Sequence, residues 1–220
     1  MSRKHGSFAA LVLIGMFSGL GFAQQEASVP IPEITISVHN YADVPPLLLA
    51  AAEAQGRRIF EQSGVEAVWL SCSPKLEESE PEGCSRVDAT HLVLKVISDK
   101  TNAHMRDRGD VLGNALLADD GTGYYAYAFF DHIEILEREL GFSLLGYVLT
   151  HEVGHLLLGS NSHAVSGIMS PHWNGAELRR ISQGNLLFLP SESRMLRERL
   201  RFRRVDAPVV SSAKAIAEAN

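Results

Sequence analysis

The sequence has few cysteines and no excess of basic residues, and both features limit the classes of protein to which it can belong. Its 20 lysines and arginines are outnumbered by 26 aspartates and glutamates, which gives a formal net charge of -6. We therefore expect neither a nucleic-acid surface nor a polybasic anchor for anionic membranes. No long apolar run follows the first 23 residues, so no stable membrane association is predicted for the rest of the chain.

Only two cysteines are present, Cys72 and Cys84, and they bracket the polar stretch SPKLEESEPEG. In an oxidising compartment two such thiols are predicted to pair and to close a short loop, which stabilises the fold by about 3 kcal/mol. Zinc binding by the pair is the weaker alternative, because structural zinc sites separate their cysteines by about two to four residues.

The N-terminus has the pattern of an export signal. A charged start at residues 3–5 precedes an apolar run from Phe8 to Phe22, and Gly21 and Ala23 are small, as signal peptidase requires. We predict a signal peptide over residues 1–23, with an uncleaved membrane anchor as the alternative. Residues 24–220 would then form a single domain that is extracellular or periplasmic.

The first half of the remaining chain predicts a strand, a helix and two further strands. Apolar and polar residues alternate over Ile34–Val38, the period of a half-buried strand. A helix then begins at Pro45-Pro46 and continues to Ser63-Gly64. The β-branched runs Val65–Leu70 and His91–Ile97 are typical of strands, and this order favours parallel pairing.

The segment Val111–Phe130 is aromatic, contains several glycines and has few helix formers, so it predicts a strand or a hairpin with its turn at Asp119–Gly123. A helix in two parts follows, over Asp131–Leu140 and Ser143–Leu158. From about residue 205 the small residues of VDAPVVSSAKAIAEAN indicate a loosely ordered tail.

Glycine and serine mark the ends of the two helical parts. Gly141 is predicted to break the helix, Ser143 to cap the second part, and Gly159 to end it.

That second part contains the sequence HEVGHLLLGSNSH, in which His151 and His155 are four residues apart. On a helix this spacing puts both imidazoles on one face, so they can bind one ion. Glu152 lies beside the first histidine and can reach a water without being a ligand. Such a set suits metal-assisted hydrolysis. The helix is otherwise apolar and predicted to be buried, and a metal would satisfy its polar side chains; the apolar residues are Leu144, Leu145, Val148, Leu149, Leu156 and Leu157.

This stretch resembles the metzincin family of zinc proteases, whose signature is H-E-x-x-H-x-x-G-x-x-H followed by a methionine turn. Gly159 stands one residue later than in the signature, and the third histidine two residues later, with Asn161 at the family's usual position. The resemblance implies three zinc ligands, a general base, a turn glycine and a methionine turn, which correspond to His151, His155 and His163, Glu152, Gly159 and Met169.

YAYAFFD resembles the edge strand of matrix-type metzincins, which lines the cleft and pairs with the substrate backbone. The residues concerned are Tyr125, Ala126, Tyr127, Ala128 and Phe129. An ordinary core strand is the alternative interpretation. His172, shortly after the methionine, is a candidate donor to a developing oxyanion, with a plain loop histidine as the favoured alternative.

Taken together, the resemblance implies an α/β (α+β) zincin-like fold, with a mixed, mostly parallel twisted sheet, an antiparallel edge strand, an active-site helix and a C-terminal helix. It also implies one catalytic Zn²⁺, Glu152 as general base and a peptide or protein substrate, and we expect a monomer. Two alternatives stay open: an exported zinc-binding protein without activity, and a zinc amidase that acts on cell-wall amides.

The remaining candidate ligands lack supporting spacing. Glu177 lies far enough downstream to act as a carboxylate third ligand, but its surroundings do not favour it. His39, His91, His104 and His132 are scattered over predicted strands and loops and are interpreted as surface or strand histidines.

Overall fold

The computed structural model describes residues 30–72, 82–98 and 111–206, and in this part of the chain one sheet packs with five helices. The predicted signal peptide and most of the predicted tail lie outside the described residues. No helix within them is long and apolar enough to cross a membrane. In chain order the elements are β1 (Glu33–Asn40), α1 (Pro46–Gln62), β2 (Glu66–Cys72), β3 (His91–Ile97), β4 (Gly113–Leu116), β5 (Tyr125–Phe129), α2 (Phe130–Leu140), α3 (Leu145–Leu158), α4 (Gly175–Ser182) and α5 (Pro190–Asp206).

The sheet has the order β2-β1-β3-β5-β4, with β4 alone antiparallel to its neighbour. The predicted fold class, a mostly parallel mixed sheet with an antiparallel edge strand, is confirmed. The prediction that Tyr125–Phe129 is the edge strand was wrong. Tyr125–Phe129 forms β5, which lies between β3 and β4, because the hairpin places its first strand outermost.

The β1-α1-β2 unit follows from its sequence pattern. The apolar positions of β1, namely Ile34, Ile36 and Val38, are fully buried on the face of the sheet that α1 covers. Pro46 starts α1, where its missing N–H costs no helical hydrogen bond. After the helix, Gly64 adopts a φ of 76°, a conformation that glycine accepts without strain. The predicted parallel pairing of β1 with β2 is confirmed.

Helix α3 is the central helix, and all of its residues are buried. Gly141 ends α2 at a φ of 72°, as predicted, and allows the chain to turn into α3. The prediction that Ser143 caps α3 was wrong. Instead, Oε1 of Glu137 accepts hydrogen bonds from Leu144 N at 2.6 Å and Leu145 N at 2.8 Å. A carboxylate suits this position because it satisfies free N–H groups at the positive end of the helix dipole.

The predicted pairing of Cys72 with Cys84 is confirmed as a disulfide with a sequence separation of 12. It joins the end of β2 to the segment that precedes β3. Gly83 lies against the His91 ring and Leu70, so residue 83 contacts the face of the sheet opposite α1.

Removing this bridge should destabilise the fold without changing the site. We expect the double variant Cys72→Ser/Cys84→Ser to lose about 3 kcal/mol of unfolding free energy, because the unfolded chain regains the entropy of the open loop. Urea denaturation followed by circular dichroism measures the loss. An unchanged urea midpoint would contradict the expectation.

Candidate metal centre

Three histidines meet at the C-terminal half of α3. His151 and His155 lie one helical turn apart on the same face, and His163 returns from the loop that follows the helix. One ring nitrogen from each lies within 4.8 Å of those of the other two, and Nε2 of His151 is 3.0 Å from Nε2 of His155. The structure thus brings together the three residues predicted as ligands.

Backbone carbonyls fix the orientation of the two helical rings. Nδ1 of His151 donates to the Ile168 carbonyl at 2.7 Å, and Nδ1 of His155 donates to the Ser160 carbonyl at 2.8 Å. With the proton on Nδ1, a neutral ring presents the lone pair of Nε2 to the shared point. This carbonyl-to-imidazole arrangement is the usual support of a metal-binding histidine.

The environment also keeps these rings uncharged. The pKa of His151 is lowered to about 3, chiefly by burial; the Ile168 hydrogen bond opposes this shift, and the neighbouring His155 and His163 add to it. Burial likewise lowers the pKa of His155 and of His163, and for the latter the nearby His172 acts in the same direction. Neutral imidazole is the form that binds metal, so the site needs no proton release at neutral pH.

The loop that carries His163 is held by short contacts on both sides. Gly159 ends α3 with a φ of 59°, as predicted, and lies so close to Gly121 of the β4-β5 turn that a side chain at either position would clash. Further along, Ala164 N donates to the Met169 carbonyl at 2.9 Å and Ile168 N donates to the Leu187 carbonyl at 3.0 Å. These bonds bring the loop back beneath α3.

Met169 is a buried packing residue against α3, next to Gly154. Its side chain is buried, and a Cβ atom on Gly154 would be only 2.7 Å from its sulfur, so the helix backbone rests directly on the thioether. The preceding Ile168 contributes the carbonyl that orients His151. The turn at Ile168 and Met169 therefore contacts the histidine helix through a backbone carbonyl and through side-chain packing.

The donor set fits a zinc ion. Two Nε2 atoms whose rings donate elsewhere through Nδ1 face each other at 3.0 Å. Two lone pairs this close repel unless a cation lies between them. Zinc bound tetrahedrally at about 2.0–2.1 Å would separate two nitrogen ligands by ~3.3 Å, close to the observed spacing. Imidazole is also a preferred zinc ligand.

Glu152 points from the same helix into a buried part of the site. Its side chain is buried, and burial raises the pKa of its carboxyl group to about 8. The carboxyl group lies against the backbone of Gly113 in β4, at the edge of the sheet. A buried carboxyl with a raised pKa beside a group of metal ligands is typical of a general base or acid.

Sequence reasoning missed several supporting groups. Trp173 donates from Nε1 to the Ile168 carbonyl at 3.2 Å and packs edge-on against the His151 ring at 5.8 Å. The carbonyls of Ile168 and Ser160 were also not foreseen, since backbone groups carry no signal in the sequence. A glycine inside a strand, such as Gly113, does indicate a close approach and could have been noted.

The other candidates are not part of the three-histidine cluster. Asn161 is solvent-exposed. Glu177 is buried on α4, also outside that group. His172 is exposed, and its carbonyl accepts a hydrogen bond from Ser170 Oγ at 3.1 Å. His39 and His91 lie in the sheet and His132 in α2, whereas His104 falls outside the described residues.

In β5 the predicted cleft residues divide between the two faces of the sheet. Ala126 and Ala128 are fully buried on the α3 side, whereas Tyr125 and Tyr127 point to the opposite face. Of these four residues, only the small alanines face α3. The strand therefore supports the site from within the sheet.

Comparison with known proteins gives only distant likenesses. No family model matches the chain, and no curated protein matches it. Among solved structures, archaemetzincin from Methanopyrus kandleri is 16% identical with a TM-score of 0.47, covering 77% of this chain and 97% of that one. A zinc-dependent peptidase from Methanocorpusculum labreanum is also 16% identical with a TM-score of 0.47, covering 73% and 99%. Values this low assign no activity to the chain.

Proposed function

We propose that the protein is an exported, zinc-dependent metalloendopeptidase. The observation that carries the proposal is the convergence of His151, His155 and His163, with the first two fixed by carbonyls and a buried glutamate beside them. The cluster is open to solvent on the side of His163, whose side chain is exposed, so a substrate can approach from there. An accessible site with three protein ligands is typical of catalytic zinc.

The proposed mechanism assigns separate roles to the three histidines, to Glu152 and to His172. The three histidines would hold the ion, which when bound supplies a Lewis acid for the scissile carbonyl and for a water molecule. A cation held by the histidines would favour the ionised form of Glu152. The carboxylate then takes a proton from the attacking water as the water oxygen bonds to the carbonyl carbon, and gives that proton to the amine as the C–N bond breaks. His172, exposed near His163, is a candidate donor to the oxyanion oxygen of the substrate.

The peptide would bind along β4, not along β5 as the sequence predicted. Within the described residues β4 pairs on one side only, with β5. The bond from Phe129 N to the Leu112 carbonyl sets the alternation of the ladder, so that Gly113 and Ala115 direct their N–H and C=O groups away from β5. An extended peptide could add there as a sixth strand.

Export is supported by the disulfide, which is a mark of oxidising compartments, and by the N-terminal pattern. We propose that the domain acts as a monomer on peptides or unfolded proteins. The acidic net charge of -6 is consistent with a soluble exported enzyme.

Removal of the metal is the direct test. We expect cleavage of unfolded casein to stop after dialysis against a strong chelator and to return with about one equivalent of zinc. Fluorescence-labelled substrate gives the rate, and elemental analysis gives the metal content. Magnesium is the matched control, because a hard cation that prefers oxygen ligands should not restore activity.

Two outcomes would replace the proposal. One equivalent of zinc bound without cleavage of any peptide would favour a zinc-binding protein without activity. Chelator-sensitive release of amines from cell-wall fragments, with casein left intact, would favour an amidase.

A further inference from the structure

Gly113 stands where the edge strand meets the carboxyl group of Glu152. A Cβ atom added to Gly113 would lie 2.5 Å from Oε1 of Glu152 and 2.6 Å from both Cδ and Cγ. Real Cβ atoms do not approach other heavy atoms this closely. The side chain of Glu152 thus occupies the volume that any larger residue at position 113 would need.

The backbone of Gly113 gives no other reason for glycine. Its φ is not in the left-handed region, unlike that of Gly121 or Gly159 in the neighbouring turns. Glycine inside a strand normally weakens it, because it costs backbone entropy and supplies no side chain to pack. The adjacent position on the same face is Ala115, which is buried, so a small side chain is tolerated elsewhere on this strand.

We propose that Gly113 is a positioning residue for Glu152. Because Gly113 has no side chain, the carboxyl group of Glu152 can lie against the backbone at the sheet edge. The same residue directs its N–H and C=O groups away from β5, toward the position of a bound peptide. The space left by the missing side chain of Gly113 therefore aligns Glu152 with the part of the substrate that pairs with residue 113. This role in catalysis rests on the proposed function, whereas the contact itself does not.

The first experiment separates positioning from folding and metal binding. Gly113→Ala should lower kcat about 100-fold and leave KM and zinc content nearly unchanged, because a base displaced by about 1 Å loses its alignment. Gly175→Ala is the matched control. The added Cβ there would meet only Arg179 Nη1, at 3.7 Å, so kcat should stay within about twofold.

The second experiment needs no enzymatic activity. The urea midpoint of the metal-free protein is measured for Gly113→Ala, for Glu152→Ala and for the double variant. Crowding between residues 113 and 152 predicts that Gly113→Ala lowers the midpoint in the wild-type background and lowers it by at least about 0.3 M less when residue 152 is alanine. If Gly113→Ala alone fails to fold, folding of the double variant supports the same conclusion.

The outcomes are distinct. Equal midpoint shifts in both backgrounds, or failure of both variants to fold, would overturn the contact. Coupled midpoints with an unchanged kcat would overturn the positioning role alone. Coupled midpoints in a protein whose zinc-loaded wild type cleaves no peptide would overturn the proposed function, and the catalytic role with it, while the contact stands.

Discussion

Glu152→Gln should reduce peptide cleavage by about 10³–10⁴-fold while the protein keeps one equivalent of zinc. Glutamine has nearly the same shape and fits the same buried volume, but it cannot take a proton from water. The metal ligands are His151, His155 and His163 in our proposal, so their nitrogens are untouched by the substitution. Cleavage of a labelled peptide, together with metal analysis of the same sample, measures both quantities.

Glu139→Gln is the control for this variant, since Glu139 is exposed on α2. It removes the same charge from the surface and should leave the rate within about twofold. Full activity of Glu152→Gln would contradict the proposed base. Loss of zinc along with activity would instead indicate that Glu152 supports the metal and not the proton transfer.

The sheet was predictable because its strands and connections are local patterns. The alternation in β1, the run in β3 and the helix between β1 and β2 gave the right parallel arrangement. Which of the two hairpin strands lies at the edge of the sheet could not be predicted from local sequence patterns. YAYAF is more apolar and aromatic than GNAL, and the sequence prediction took it for the cleft strand. Instead, β5 pairs with β3 on one side and with β4 on the other, which leaves β4 at the edge within the described residues.

The helical histidines were predictable from the period of α3, but their orientation was not. The Ile168 and Ser160 carbonyls that fix the rings belong to loops whose course depends on tertiary contacts. The cap of α3 was missed for a similar reason. Glu137 lies in the preceding helix, and its carboxylate reaches Leu144 and Leu145 only because Gly141 turns the chain back.

Ring positions support His163 as the proposed third ligand, and removal of its ring has a large expected effect on zinc binding. The His163 ring lies 5.4 Å from that of His151 and 4.9 Å from that of His155, measured between centroids. His163→Ala should therefore weaken zinc binding by more than about 100-fold, beyond the effect usual for residues that only support a ligand. Competition with a coloured chelator gives the zinc dissociation constant.

Asn161→Ala is the informative comparison, because residue 161 holds the family's usual third-ligand position. Its side chain is exposed and its amide is not among the usual zinc ligands, so its removal should change zinc affinity by no more than about twofold. We attribute the expected difference in zinc affinity between the two variants to the longer loop from Gly159 to His163. The loop returns under α3 through the bond from Ala164 N to the Met169 carbonyl, which brings residue 163 to the metal side. A larger loss for Asn161→Ala than for His163→Ala would move the third ligand to residue 161.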